Sequence, residues 1–291
     1  MSTLFAWVAA AALVAAERPP IAADADGDGV ADEVEDADLD GRVDPGESDP
    51  RRPGLWPGRA PHIPEPLNFD LVRGLGARAG ELEVNVLGAA HWDAVHMAPL
   101  ELAPEIEWAP VDNLAVEAEA AIVGGRLVAF KFAVQGTRAR PLAPGYLDGW
   151  QLLTRVADDG AGALAADVMG LYIGGLRFAA DSPWSALVIA GVGGRWGGGP
   201  APTSVSLLVN PSVFVDVKEW LTLGLETNLR ATVGEPHFAR LLPQVHLQIS
   251  RRVRVQAGVG VDVDTRRRAA AGVAALRLIV ERPRAAIRGR R

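Results

Sequence analysis

The sequence contains no cysteine, so disulfide bonds and thiolate metal sites are excluded. Beyond the N-terminus it also lacks any run of about 18 apolar residues, the minimum length of a membrane-spanning helix. No nucleotide-binding fingerprint is present, because no helical pattern follows the glycine-rich residues 193–199. The hydrophobic residues, 49% of the chain, must therefore form a large core or face lipid without a spanning helix.

Acidic and basic residues are distributed unevenly. The chain of 291 residues has a net charge of −7, but residues 24–50 contain 12 acidic residues and one basic residue. Residues 51–291 contain 23 acidic and 27 basic residues. The acidity is thus confined to one short segment, and we predict no nucleic-acid partner.

The first 16 residues have the features of an export signal. Residues 4–16 are apolar, Glu17 and Arg18 follow them, and the small residues Val14 and Ala16 suit a cleavage site. This pattern is typical of a secretory signal peptide. The alternative is a loosely packed N-terminal helix.

Residues 24–50 contain two copies of a spacing that is typical of calcium-binding loops. Acidic residues occupy positions 1, 3, 5, 9 and 12 of each copy, and Gly29 and Gly41 occupy position 6. Calcium prefers about six to eight oxygen ligands, glycine permits the sharp turn, and the backbone carbonyl at position 7 adds one ligand. The predicted ligands are Asp24, Asp26, Asp28, Val30, Asp32 and Glu35 in the first loop and Asp36, Asp38, Asp40, Arg42, Asp44 and Glu47 in the second.

The two loops follow each other directly. No residue separates Glu35 from Asp36, which leaves no room for the helices that flank an EF-hand loop. Residues 24–50 instead resemble thrombospondin type 3 repeats, whose D-x-D-x-D-G-x-x-D units wrap calcium without helices, and VDPGESDP resembles their tail. The resemblance implies calcium as cofactor. The alternative is a disordered acidic spacer.

Residues 51–80 contain five of the 21 prolines and show little periodicity. This composition predicts an extended linker.

A period of two dominates residues 221–263. Odd positions are apolar, as at Leu223 and Val245, whereas even positions carry polar residues such as Glu226 and Arg254. Since successive side chains of a β-strand point to opposite faces, the pattern predicts three consecutive strands. Each run is about 10 residues long, the length of a tilted membrane-spanning strand.

The same alternation in nine further segments gives 12 strands in all. A single-chain outer-membrane barrel has an even number of strands, because its first and last strands pair antiparallel. Six tryptophans fall at strand ends, as expected of aromatic girdles. We therefore predict an all-β fold, an antiparallel 12-stranded transmembrane β-barrel over residues 81–281, preceded by the irregular calcium-binding segment and followed by a basic tail at residues 282–291. Residues 138–149 form an unexpectedly long connection in this scheme.

Two stretches resemble poorly characterised, transporter-like outer-membrane barrels. The run PEIEWAPVDNLAVEAE at residues 104–119 resembles their pattern of an acidic strand, a tight turn and a second acidic strand. The run FKFAVQ at residues 130–135 resembles their fourth strand. The resemblance implies a barrel in contact with outer-membrane lipid.

The polar strand faces line the lumen if the apolar faces contact lipid. The predicted lumen residues are Glu101, Glu105, Glu107, Glu117, Glu119, Lys131, Arg155, Arg177, Glu226, Arg230, His246, Arg254 and Arg277. They form either a charged pore wall that selects solutes by sign or an ion-pair network that fills the lumen.

A catalytic role has weak support. Ser212, His246 and Asn210 could form the triad of an outer-membrane hydrolase, but His246 lies mid-strand and no G-x-S-x-G elbow is present. We therefore predict that the protein is not an enzyme. The leading hypothesis is an exported Gram-negative outer-membrane channel or structural pore with a periplasmic calcium-binding segment. The alternative is a soluble secreted β-sandwich binding module with a calcium-ordered stalk.

Overall fold

The structure is a computed structural model that describes residues 62–69, 71–138, 145–158, 163–178, 182–197, 204–233, 237–250, 252–264 and 269–282. The predicted signal peptide, both predicted calcium loops and residues 283–291 of the basic tail lie outside these residues. Among the described residues, no helix has the length and hydropathy needed to cross a membrane.

Twelve strands follow one another along the chain. They are β1 (Leu82–Trp92), β2 (Glu101–Val111), β3 (Leu114–Val123), β4 (Arg126–Thr137), β5 (Tyr146–Asp158), β6 (Leu164–Arg177), β7 (Trp184–Gly197), β8 (Ser204–Lys218), β9 (Leu221–Thr232), β10 (Phe238–Ser250), β11 (Val253–Asp264) and β12 (Ala269–Arg282). Each strand pairs antiparallel with its neighbours in sequence, and β1 pairs with β12 from Leu82 opposite Arg282 to Trp92 opposite Gly272. This closed ring confirms the predicted 12-stranded barrel. It rules out the β-sandwich, because a sandwich consists of two separate layers with open edges.

We call the end at which β1 begins and β12 ends the base, and the opposite end the mouth. At the base, β2 and β3 are joined by a tight turn in which Asn113 has a positive φ of 63°. The long connection predicted at residues 138–149 is shorter than expected, since β4 continues to Thr137 and β5 begins at Tyr146. Gly136 and Gly149 hide the alternation there, because a glycine has no side chain to mark a face.

The outer surface of the barrel is apolar. Val84, Val86 and Ile106 point outward and are about half exposed, whereas the residues between them point inward and are buried. Trp150 lies over Gly136 on the neighbouring strand, where an added Cβ would come within 2.6 Å of the indole ring. The strand predictions depend on this alternation between outward-facing apolar residues and inward-facing residues.

Residues 62–69 and 71–80, which we call the lumenal segment, pack inside the barrel except at their ends, where His62, Ala79 and Gly80 are exposed. Leu67 and Val72 are 0% exposed and Leu71 is 1% exposed. The interpretation of residues 51–80 as an extended linker is therefore wrong for this part, while residues 51–61 lie outside the described residues. The physical reason is that the segment carries apolar side chains that are buried against the inner wall.

Candidate functional site

The inner wall of the barrel has an apolar sector on β5 to β8. Leu147, Ile173, Leu187 and Ile189 form one cluster there, and each is 3% exposed or less. The inner faces of β1 to β4 and β9 to β12 carry mainly polar and charged residues. The lumenal segment contacts both kinds of surface.

Apolar side chains of the lumenal segment fill spaces in this wall. Ile63 packs in the apolar sector, and Leu67 packs against residues of β10 and β12. Glycines provide room for both: a Cβ at Gly175 would lie 2.6 Å from Ile63 Cδ1, and a Cβ at Gly258 would lie 2.9 Å from Leu67 Cδ2. The wall is therefore shaped to accept the segment.

Two wall residues bind the backbone of the lumenal segment at its turn. The Glu226 carboxylate accepts hydrogen bonds from the Asn68 and Phe69 N–H groups, at 2.9 and 3.0 Å. The Leu67 N–H group donates to Gln244 Oε1 at 2.9 Å. Three consecutive N–H groups of the segment are thus paired by side chains of the barrel wall.

Gln135 holds the returning part of the segment from β4. Its Oε1 accepts a hydrogen bond from the Val72 N–H group at 3.0 Å, and its Nε2 donates to the Arg73 carbonyl at 2.6 Å. Both hydrogen-bonding groups of one buried amide are used on the segment. With Glu226 on β9, the segment is fixed to well-separated strands and spans the lumen.

The positively charged side chain of Arg73, in the lumenal segment, lies beside acidic residues of the wall. Its guanidinium bonds to Glu83 and lies 3.8 Å from Glu107. Asn85 Nδ2 donates to both carboxylates, at 3.2 and 2.8 Å. Burial disfavours the charged form of Arg73, but the neighbouring Glu83 and Glu107 outweigh burial and raise its pKa. The segment is therefore attached by charge as well as by packing.

A second acidic group lies on β2 and β3. Lys131 Nζ is 2.5 Å from Glu119, 2.8 Å from Glu117 and 3.6 Å from Glu105. Ligand atoms of the three carboxylates lie within 4.8 Å of one another, which is close enough to hold a metal ion. Because the Lys131 ammonium already lies among them, we assign them to an ion-pair cluster and not to a metal site.

The mouth half of the lumen contains a cavity of about 350 Å³. Asn68 and Phe69 of the lumenal segment line it from within the lumen, and Glu101, Lys131 and Arg155 line it from the wall. A cavity of this size can accept a small molecule. It is the candidate binding site of the barrel.

A row of polar contacts links this cavity to the turn of the lumenal segment. His91 lies 3.7 Å from Glu101 and 3.2 Å from Asp262. Arg240 binds Asp262 through two nitrogens, at 2.6 and 2.8 Å, and also donates to Asn68 Oδ1. The wall at the mouth is thus connected to the segment by side chains.

The structure places all 13 predicted lumen residues on the inward-facing side of their strands. At the base, Arg177 pairs with Asp216 at 3.0 Å and Arg254 with Glu281 at 2.5 Å. Deeper in the lumen, Arg277 is 0% exposed and donates to the Pro66 carbonyl. The remaining members are placed as follows: Glu105, Glu107, Glu117, Glu119, Lys131, Glu226 and His246 are buried or nearly so, Glu101 and Arg155 face the cavity, and Arg230 is exposed on β9 toward the mouth.

The residues considered for hydrolysis make other contacts. Ser212 Oγ donates to Asn210 Oδ1 at 3.1 Å, and His246 Nε2 lies 3.0 Å from Gln244 Oε1. No recorded hydrogen bond joins Ser212 to His246 within the described residues. The absence of enzymatic activity stays a prediction.

Sequence reasoning missed the residues that hold the lumenal segment. In the sequence, Gln135, Gln244 and Asn85 are polar positions of alternating strands like many others, and Glu65 and Arg73 belong to the predicted linker. A signal was present, because six apolar residues in residues 63–75 are more than a solvated linker needs.

The family comparison concerns the same part of the chain. A family model described as HAEPLYID-like matches residues 60–124. This range comprises the lumenal segment and β1 to β3. The match therefore includes both the segment and part of the wall on which it packs. No curated protein matches the chain.

Solved structures resemble the barrel. The chain is similar to the NanC porin with a TM-score of 0.54 and 8% identity, over 69% of this chain and 100% of that porin. The fold is that of an outer-membrane porin. The KdgM porin has a TM-score of 0.49 and 8% identity, over 68% of this chain and 98% of its own. The COG4313 outer membrane channel from Pseudomonas putida F1 has a TM-score of 0.45 and 10% identity, over 72% and 97%.

The lumenal segment is the feature of this porin-like barrel that bears most on function. It crosses the lumen at a level between the base and the cavity. Because the identities are low, the comparisons describe the fold and give no solute.

Proposed function

We propose that the protein is an outer-membrane channel that its own lumenal segment holds closed, with the base of the barrel toward the periplasm. The porin fold supports this proposal. So does the outward-facing apolar surface, because a barrel in water would not expose so many large apolar side chains. Short turns at the base are typical of the periplasmic side of such barrels.

The docking of the lumenal segment onto the wall is the observation that carries the proposal. Its apolar side chains fill spaces in the wall, and its N–H groups bind Glu226, Gln244 and Gln135. A solute that crosses the barrel must displace the segment. In our proposal the channel opens when the segment leaves these contacts, and the charged inner wall then selects solutes by sign.

The N-terminal residues complete the proposal. Residues 1–16 would direct export, and the predicted calcium ligands at residues 24–47 would lie in the periplasm, ahead of the lumenal segment. Calcium would stiffen this acidic stretch by neutralising its repelling charges. Catalysis is not part of the proposed function.

Single-channel conductance in a planar bilayer tests the closed state. The parent protein is expected to show rare, brief openings. Glu226→Ala removes the acceptor of two N–H groups of the segment, which costs about 0.5–1.5 kcal/mol for each hydrogen bond lost. We expect openings to become at least tenfold more frequent.

Thr232→Val is the matched control. Thr232 is an inward-facing residue of the same strand, and its recorded hydrogen bond is to Ser206 on β8 and not to the segment. Openings of the Thr232→Val channel should remain rare. If Glu226→Ala folds, as shown by a mobility shift on boiling in detergent gels, and still opens no more often than the parent, the proposed role of the segment is wrong.

A further inference from the structure

The cavity at the mouth carries opposite charges on different parts of its wall. Glu101 of β2 and Arg155 of β5 both line it, and their side chains are 50% and 39% exposed. Most inward-facing charges of the lumen are far more buried. These two groups are therefore accessible to a solute from the mouth.

Arg155 is only loosely paired. Its recorded partner among the described residues is Asp167, at 3.8 Å, which is too long for a hydrogen bond. Asp167 lies closer to Arg195, at 3.1 Å. The guanidinium of Arg155 thus keeps donors for an anionic group in the cavity.

Glu101 is likewise only loosely paired with its neighbours. It lies 3.7 Å from His91, whereas His91 is 3.2 Å from Asp262. Different ring nitrogens make these contacts, Nε2 facing Glu101 and Nδ1 facing Asp262, and the 3.7 Å contact is too long for a hydrogen bond. The Glu101 carboxylate is left able to accept hydrogen bonds from a cationic group.

Between the two charges the wall carries Glu119 and Lys131, which pair with each other at 2.5 Å, and apolar side chains. The apolar side chains are those of Leu87, Ala103 and Leu153 of the wall and Phe69 of the lumenal segment. A solute with one charge could satisfy only one side of this cavity. A solute with a cationic and an anionic end on an apolar body could satisfy both.

We propose that this cavity binds a small zwitterionic solute, with Glu101 receiving its cationic end and Arg155 its anionic end. The inference rests on the proposed channel function and names the class of solute that enters from the mouth. Asn68 and Phe69 form part of the cavity, so the bound solute contacts the segment that closes the lumen.

Calorimetric titration of the full chain in detergent with 6-aminohexanoate tests this site. Hexanoate and hexylamine, which share its methylene chain but carry one charge each, are the matched probes. We expect 6-aminohexanoate to bind at least tenfold more tightly than either. Glu101→Gln and Arg155→Gln should each weaken its binding at least tenfold.

Asp93→Asn and Arg126→Gln are the control variants, since both residues are exposed near the mouth and do not line the cavity. They should bind like the parent. Equal affinity for the three probes, no binding of 6-aminohexanoate, or unchanged binding by the two cavity variants would overturn the assignment. Because binding is measured on the closed protein, a failure here is distinct from a failure of the conductance test.

Discussion

Glu65 is a carboxyl group buried inside the lumen on the segment that closes it. It is 6% exposed. Burial raises its pKa to about 7, and the negative charge of Glu83 acts in the same direction. The positive charges of Arg254, Arg73 and Arg277 oppose this rise without cancelling it. The docked segment therefore favours the protonated form of Glu65.

This preference predicts that the channel opens more readily as pH rises. An undocked Glu65 would have its ordinary pKa of 4.5, below its docked value of about 7. Docking is thus strongest below about pH 4.5 and weakens up to about pH 7, by at most about tenfold per pH unit. We expect the frequency of openings in a planar bilayer to increase across this window and then level off.

Glu65→Gln should abolish the pH dependence, because its amide is neutral at every pH. Asp93→Asn, an exposed acid outside the lumen, is the control and should keep it. If Glu65→Gln retained the full increase in opening frequency with pH, another group would be responsible for the pH dependence.

At the scale of elements, the strands could be predicted, whereas the lumenal segment showed its apolar content in the sequence but not its place in the barrel. Lipid-facing positions require apolar side chains of any shape, so the alternation that marks them is local and visible in sequence. The segment has no period, because each of its apolar side chains meets a different part of the wall. Leu67, for example, bonds to a residue 177 positions away. In the sequence, nothing distinguishes Gln244 from the other polar residues of the alternating strands.

The inner face of β6 offers a test of how the segment is held. A side chain at Gly175 would meet Ile63 and also Leu75, whose Cδ1 would lie 3.2 Å from the new Cβ. Overpacking of this kind costs about 1–3 kcal/mol. Gly175→Val should therefore displace the segment and increase its undocked fraction by about fivefold or more.

Thiol labelling can measure this displacement, since the chain contains no cysteine. Val72→Cys places a thiol at a position that is 0% exposed, so its reaction with a membrane-impermeant maleimide reports undocking. Gly170→Val on the same strand is the control, because nothing lies within 4 Å of a Cβ there. Equal labelling in the Gly175 and Gly170 variants would show that β6 does not hold Ile63 in place.

On the scale of the whole molecule, the chain divides into an acidic leader and a barrel of nearly balanced charge. Residues 24–50 have a net charge of −11, and residues 51–291 have a net charge of +4. The barrel closes through β1 and β12, and the lumenal segment joins the leader side of the chain to β1. A leader stiffened by calcium would therefore be connected to the segment that must move.

Calcium titration of the full chain by calorimetry tests the leader. We expect about two calcium ions per chain, because each predicted loop supplies a full set of oxygen ligands. Glu35→Gln combined with Glu47→Gln removes the carboxylate at position 12 of both loops and should abolish the uptake. Glu33→Gln combined with Asp49→Asn removes the same charge at positions outside the ligand spacing, and should leave two ions bound. If both double variants lost calcium binding equally, binding would depend on net charge and not on the two loops.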